Sequence, residues 1–146
     1  MDKIILAVFF FGTAIATGIQ DWRILIIIPL AILNGYINSS AIKKNKFGDL
    51  WHDLQFFILA VIMGVLVWFG IVKLDEVVLI MAFSYVSFEV SLNLFSGWDW
   101  NHVGTTSDID RWITKKFKTL GMRRRIFLVS KLFALFIGFA IYIFNK

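Results

Sequence analysis

The sequence has no cysteine, so disulfides, thiolate metal sites and a cysteine nucleophile are excluded, and cysteine usage leaves the redox compartment open. It has one proline and two histidines, so a metal centre would have to combine at most two imidazoles with carboxylate or amide ligands. Charged side chains make up only 17% of the residues, below the roughly 25% typical of soluble domains. Nucleotide, dinucleotide and DNA-binding motifs are absent, as are internal repeats and linkers. Nucleic acid is therefore not an expected partner, and a single domain over residues 1–146 is the economical organisation.

What is present is hydrocarbon. Hydrophobic residues make up 59% of the chain, and they fall into apolar runs at 4–19, 24–42, 54–72, 77–98 and 126–144, most of them near the ~20 residues that a helix needs to cross a bilayer. The pattern predicts an all-α polytopic membrane protein with five transmembrane helices and one cytoplasmic interfacial amphipathic helix. The first run also resembles a signal peptide, through its "MDK" start and Ala14-Ile15-Ala16, but its reading here is a span. Pro29 falls in the first third of the second run, where a kink tolerates it. Gly12, Gly18, Gly35, Gly64, Gly70 and Gly138 lie in or at the ends of spans and permit close helix approach, without forming a GxxxG motif.

Five spans place the N-terminus and the second and fourth connections on one side. That side collects Lys3, then Lys43, Lys44 and Lys46, then Arg111, Lys115, Lys116, Lys118, Arg123, Arg124 and Arg125. The other side has Arg23, Lys73 and Lys146. The positive-inside rule predicts a bacterial-type inner (cytoplasmic) membrane, N-terminus inside and C-terminus outside.

Polar residues within the spans cluster in the cytoplasmic half. Glu89 and Asn93 lie on the fourth run, Asn34 and Asn38 on the second, Gln55 at the start of the third and Lys131 near the start of the fifth. Together they predict a polar cavity open to the cytoplasm. The plainer reading is helix glue, with amides bonding between helices for ~0.6–2 kcal/mol each. Glu89 lies roughly 13 Å deep at ~1.5 Å per residue and needs compensation by Lys131, a metal or a proton.

The two histidines sit on the same side beside carboxylates. His52, Asp53, Glu89 and His102 could ligate a divalent metal, with Asp108 or Asp110 closing from the loop, or a histidine could act as a general base. Two hydrogen-bonded loop histidines are the plainer alternative. In the stretch "GWDWNHVGTTSDIDRW", residues 97–112, Ser107 suits an N-cap with Asp110 at N3. The helix it starts, over 107–120, carries Ile109, Trp112, Ile113, Lys116, Phe117 and Leu120 on one stripe. A basic amphipathic helix of this kind rests on an anionic inner leaflet, so Trp112, Lys115, Lys116, Lys118 and Arg123 to Arg125 form the expected lipid surface. Capping leaves "WDWNHVG", with Asp99, Asn101 and His102, unexplained.

Trp51-His52-x-x-Gln55, Asn93, Gly97 and the run Val103-Gly104-Thr105-Thr106-Ser107-x-Ile109-Asp110 resemble a pattern in small integral membrane proteins of Bacteroidota bacteriophages, over residues 51–112. That resemblance implies a membrane protein and brings no activity with it. "HVGTTSDID" is also similar to the HRGxTHS signature of membrane-bound metal-dependent hydrolases, but Val103 and Thr106 stand where that signature has arginine and its second histidine. Three functions remain open: a polar cavity that binds lipid headgroup, ion or partner protein; a metal-dependent hydrolase of a lipid or phosphate ester; and a proton or ion conductor built around Glu89 in a homo-oligomer or larger complex.

Overall fold

The computed structural model describes residues 2–20, 22–43, 50–102 and 108–145, with the backbone alone at 19–20, 23–24, 41–43, 50–56 and 108–110. Helix α1 (Asp2–Gln20) leads through a 3-10 turn (Trp22–Ile26) into α2 (Ile27–Lys43); α3 (Leu50–Trp68), α4 (Leu74–Phe95), α5 (Asp108–Lys116) and α6 (Leu120–Phe144) follow. There is no strand among the described residues. Two helices among them, α4 and α6, are long and apolar enough to cross a membrane.

Helix ends follow capping rather than hydropathy, so most lie several residues from the bounds that the apolar runs suggest. The second run, 24–42, begins in the 3-10 turn, and Pro29 falls in the first turn of α2, where helical amides have no intrahelical acceptor in any case. Helix α3 ends well before residue 72. Gly70, at φ +67, allows the Ile71 N–H to reach back to the Leu66 carbonyl at 2.9 Å. At the start of α4 the Glu76 carboxylate accepts from the Lys73 N–H at 2.9 Å, half of a capping box. Gly97, at φ +80, closes the same helix: Trp98 N–H donates to the Asn93 carbonyl and Gly97 N–H to Leu94, the Schellman pair. Thr119 caps α6 through its hydroxyl and the Met122 N–H. Arg123 to Arg125 therefore belong to a helix and not to a loop, and the amphipathic helix expected over 107–120 ends at Lys116.

Helix α4 is the hub. It buries Leu79, Phe83, Val86 and Phe88 together with Ser84, Ser87 and Ser91, and its main partners are α2 and α6. Ala31 of α2 faces Ser84 and Phe88 across a cavity, Gly35 meets Ser91, and the Tyr36 ring stands edge-on to Phe95. Residue numbers rise together along this contact, so α2 and α4 run parallel. Against α6 they run in opposite senses, with Gly138 opposite Leu79 and Ala82, and the Tyr85 hydroxyl 3.2 Å from Ser130 Oγ. Helix α1 adds Leu6, Phe10 and Ala14 to the core, with Phe10 edge-on to Phe83 at 5.4 Å. Helix α3 is peripheral and reaches the core through the stripe Leu59, Met63 and Leu66.

The surface carries long apolar stripes, while the interior mixes polar side chains with the hydrophobic core. Ile4, Val8, Phe11 and Ile15 form a bare apolar stripe on α1, as Phe57, Val61, Val65 and Trp68 do on α3 and Val129, Phe133 and Phe136 on α6. The interior holds Thr13, Thr17, Asn38, Ser39, Ser84, Ser87, Ser91 and Asn93. Several bond to their own helix, Thr13 Oγ1 to the Phe9 carbonyl at 2.9 Å and Thr17 Oγ1 to Thr13 at 2.8 Å, which lets a hydroxyl face inward without an unpaired donor.

Of the glycines, Gly35 is the one whose closeness is decisive. A Cβ there would lie 2.0 Å from Ser91 Oγ and 2.9 Å from the Leu92 backbone nitrogen, whereas a Cβ on Gly64 meets nothing within 4 Å. Gly35→Ala should therefore destabilise by ~1–3 kcal/mol through overpacking. Gly64→Ala should be neutral, or stabilising by up to ~1 kcal/mol from helix propensity. The midpoints of unfolding of the two variants in detergent, followed by circular dichroism, check this ordering.

Candidate functional site

Four of the polar residues that sequence grouped into one cavity, Asn34, Asn38, Asn93 and Lys131, occupy two places. In the first, Asn38 Nδ2 donates to Asn34 Oδ1 at 2.9 Å and to the Asn34 carbonyl at 2.8 Å, one turn back along α2. Asn34 borders a cavity of about 220 Å³ between α2, α3 and α4, whose other walls are Ile27, Leu30, Ala31, Leu59, Ser84 and Phe88. Its lining is mainly apolar, and of the grouped residues only Asn34 contributes to it.

The second place is where α4 ends and α6 begins. The turn at Gly97 sends residues 98–102 back across the end of the bundle, and Asn93 fixes the path of that segment. Its backbone carbonyl takes the Trp98 N–H, and its side-chain Nδ2 donates to the carbonyls of Trp100 at 3.2 Å and His102 at 3.3 Å. The loop thus delivers Asn101, only 3% exposed, onto Lys131, which has no exposed surface at all. Lys131 Nζ donates to Asn101 Oδ1 at 2.7 Å, and Asn101 Nδ2 donates onward to the Arg124 carbonyl. The ammonium also lies over the rings of Trp100 at 5.8 Å and Phe127 at 5.7 Å, within the ~6 Å at which a cation is attracted by an aromatic face.

Two further contacts lock the same loop. Arg124 Nη2 lies 3.1 Å from Asp99 Oδ2, and Trp98 stacks on His102 with centroids 4.6 Å apart. The ion pair is partly exposed and contributes ~0–1 kcal/mol. Arg124 Nε and Asp99 Oδ1 are both buried without a hydrogen-bond partner among the described residues.

Helix α5 docks on the first turns of α6. Ile113, 8% exposed, packs on Phe127 with Phe117 and Ile126 beside it. Arg123 supplies what the end of α5 lacks. Its guanidinium donates to the carbonyls of Phe117, Thr114 at 3.0 Å and Lys118 at 3.4 Å, satisfying C-terminal acceptors with a charge of the favourable sign. The expected apolar stripe therefore divides, with Ile113 and Phe117 resting on protein while Trp112 and Leu120 are 57% and 55% exposed. Of the expected lipid-facing cations, Lys115, Lys116, Lys118 and Arg125 are exposed, and Lys116 Nζ sits 4.9 Å from the centre of the Trp112 ring. Arg123 and Arg124 instead turn onto the protein.

The metal reading falls in large part outside the described residues. Among the described residues no three of His, Asp and Glu come together. His102 is half-buried against Trp98, and Glu89 is half-buried on α4. The side chains of His52, Asp53, Gln55, Asp108 and Asp110 lie outside the described residues, as does Ser107. Sequence marked Asn101 only as part of an unexplained run and assigned it no role. The signal that could have found it was the need of Lys131 for an acceptor, together with a glycine that turns the chain back after α4.

Asn101→Ala removes one acceptor from a buried ammonium, whereas Lys131→Met removes the ammonium and keeps the bulk. A double-mutant cycle on the pair should give a coupling of ~1–3 kcal/mol, with Asn101→Ala costing more alone than in the Lys131→Met background. Chemical denaturation in detergent measures all three variants, and additive effects would show that the contact carries no energy. Arg123→Ala should speed amide exchange across residues 111–117 and leave that of α4 unchanged.

No protein-family model, curated protein or solved structure matches this chain.

Proposed function

We propose that the chain is an integral membrane protein that crosses a bacterial-type cytoplasmic membrane five times, N-terminus inside and C-terminus outside, and that it binds anionic lipid headgroups at the inner leaflet through a basic ledge made by α5 and the start of α6. The observation that carries this reading is the division of α5. Ile113 and Phe117 are committed to α6, while Trp112, Lys115, Lys116 and, beyond them, Lys118 and Arg125 face outward. An indole among ammonium and guanidinium groups suits the boundary between headgroups and acyl chains.

The parallel packing of α2 and α4 supports the threading, because the chain must return across the same thickness between them. Helix α3 is 19 residues long, or ~28 Å at ~1.5 Å per residue, against a hydrocarbon core of ~30 Å. The bare apolar stripes on α1, α3 and α6 are the surfaces that lipid would cover. The lock around Lys131 gives the ledge a fixed height relative to α4 and α6. The ledge, and not a polar cavity, is the binding element in this reading.

Two measurements test it. The chain has no cysteine, so single cysteines report cleanly: one at Asn145 should react with an impermeant maleimide in intact cells, and one at Lys118 only after permeabilisation. The reverse pattern would overturn the orientation. In nanodiscs, replacing Lys115, Lys116, Lys118 and Arg125 by Gln should weaken competition for a fluorescent anionic phospholipid by ~1 kcal/mol per residue, an effect that fades as salt rises.

A further inference from the structure

The cavity between α2, α3 and α4 plays no part in the ledge. It measures about 220 Å³, and every water buried in it would need two to four polar partners. The walls offer two polar side chains, Asn34 and Ser84, against Ile27, Leu30, Ala31, Leu59 and Phe88. Asn34 Oδ1 already accepts from Asn38. A filling of water is therefore poorly solvated, and cavities of comparable size with an apolar lining take up apolar guests such as benzene or xenon. Hydrocarbon is the filling that this lining suits.

The structure also indicates where hydrocarbon would enter. Ala31, Ser84 and Phe88 are 4%, 8% and 5% exposed and form the inner wall on α2 and α4. Leu30, 55% exposed, stands at the outer rim. The remaining side is α3, which among its described side chains meets the core through the stripe that starts at Leu59. The exposed Leu30 thus marks the side of the cavity away from its buried wall, where lipid would coat both helices if they are spans.

We propose that this cavity is a lipid-chain site, in which one acyl chain of a bilayer phospholipid enters between α2 and α3 and lies against Ala31, Leu59 and Phe88. The proposal rests on the membrane reading above, and the experiment separates the two. Purified protein is placed in nanodiscs of a phospholipid that carries a diazirine within its acyl chain, irradiated, and mapped by peptide mass spectrometry. Outward residues Phe133 and Phe136 of α6 report ordinary surrounding lipid. Ala31, Ser84 and Phe88 report the cavity, because surrounding lipid has no access to them.

Adducts are expected at both sets. In Ala31→Trp, whose indole fills the space, adducts at Phe88 should fall at least severalfold while those at Phe133 and Phe136 persist. Adducts at the outward residues alone would overturn the chain site and leave the membrane reading standing. Adducts at neither set would overturn the membrane reading and the site with it. The map of the unaltered protein is decisive by itself, so the proposal stays testable even if the filled variant fails to fold.

Discussion

Burying a lysine ammonium is the demand to which this end of the bundle answers. Lys131 has no exposed surface, and a charge removed from water is costly unless donors and acceptors are arranged around it. The arrangement draws on three elements. Helix α4 must stop at Gly97 so that the chain can double back, Asn93 must hold that return segment by two carbonyls, and Asn101 must reach Nζ while tying itself to the backbone of Arg124. Phe127, one turn before Lys131, offers its ring to the same ammonium and its surface to Ile113 of α5. One short stretch of α6 therefore holds the loop and the surface helix together, and removing any member disturbs the others.

The helices were largely legible in the sequence, because runs of apolar residues report burial in hydrocarbon or core whichever way the chain is threaded. Their ends were not, because those depend on single residues with backbone roles: Gly70 and Gly97 at positive φ, Glu76 folded back on Lys73, and Thr119 as an N-cap. The arginine run at 123–125 read as a loop by charge, yet guanidinium side chains suit helices well, and two of the three find acceptors on neighbouring elements. The candidate site was legible only in part. Sequence singled out Lys131 and Asn93 but gave them to a cavity, since nothing in a linear pattern shows that a loop will fold down between them. It also left Asn101 as residue in an unexplained run.

Packing between α2 and α4 works through smallness. Gly35 against Ser91 brings the two backbones close, with Ala31 and Ser84 on the same contact and the larger rings of Phe88, Tyr36 and Phe95 to either side. The interhelical fit there is one of shape and dispersion, which act equally well in oil and in water. Below that contact the fit is incomplete, and the cavity bounded by Leu59 marks the place where α3 does not close against the pair.

The parallel alignment of α2 with α4 also bears on how such a bundle would be made. In the five-span threading, α2 is synthesised and enters the bilayer before α3 and α4 exist, so for a time it has none of its final neighbours on the Gly35 face. Two amides would then stand in hydrocarbon unescorted. The bond from Asn38 Nδ2 to Asn34 Oδ1, made within a single helix, needs no neighbour and can form while α2 is alone. A contact made within one helix would thereby ease passage through such an intermediate, lowering the polarity of the helix at the stage when no neighbour is there to do so.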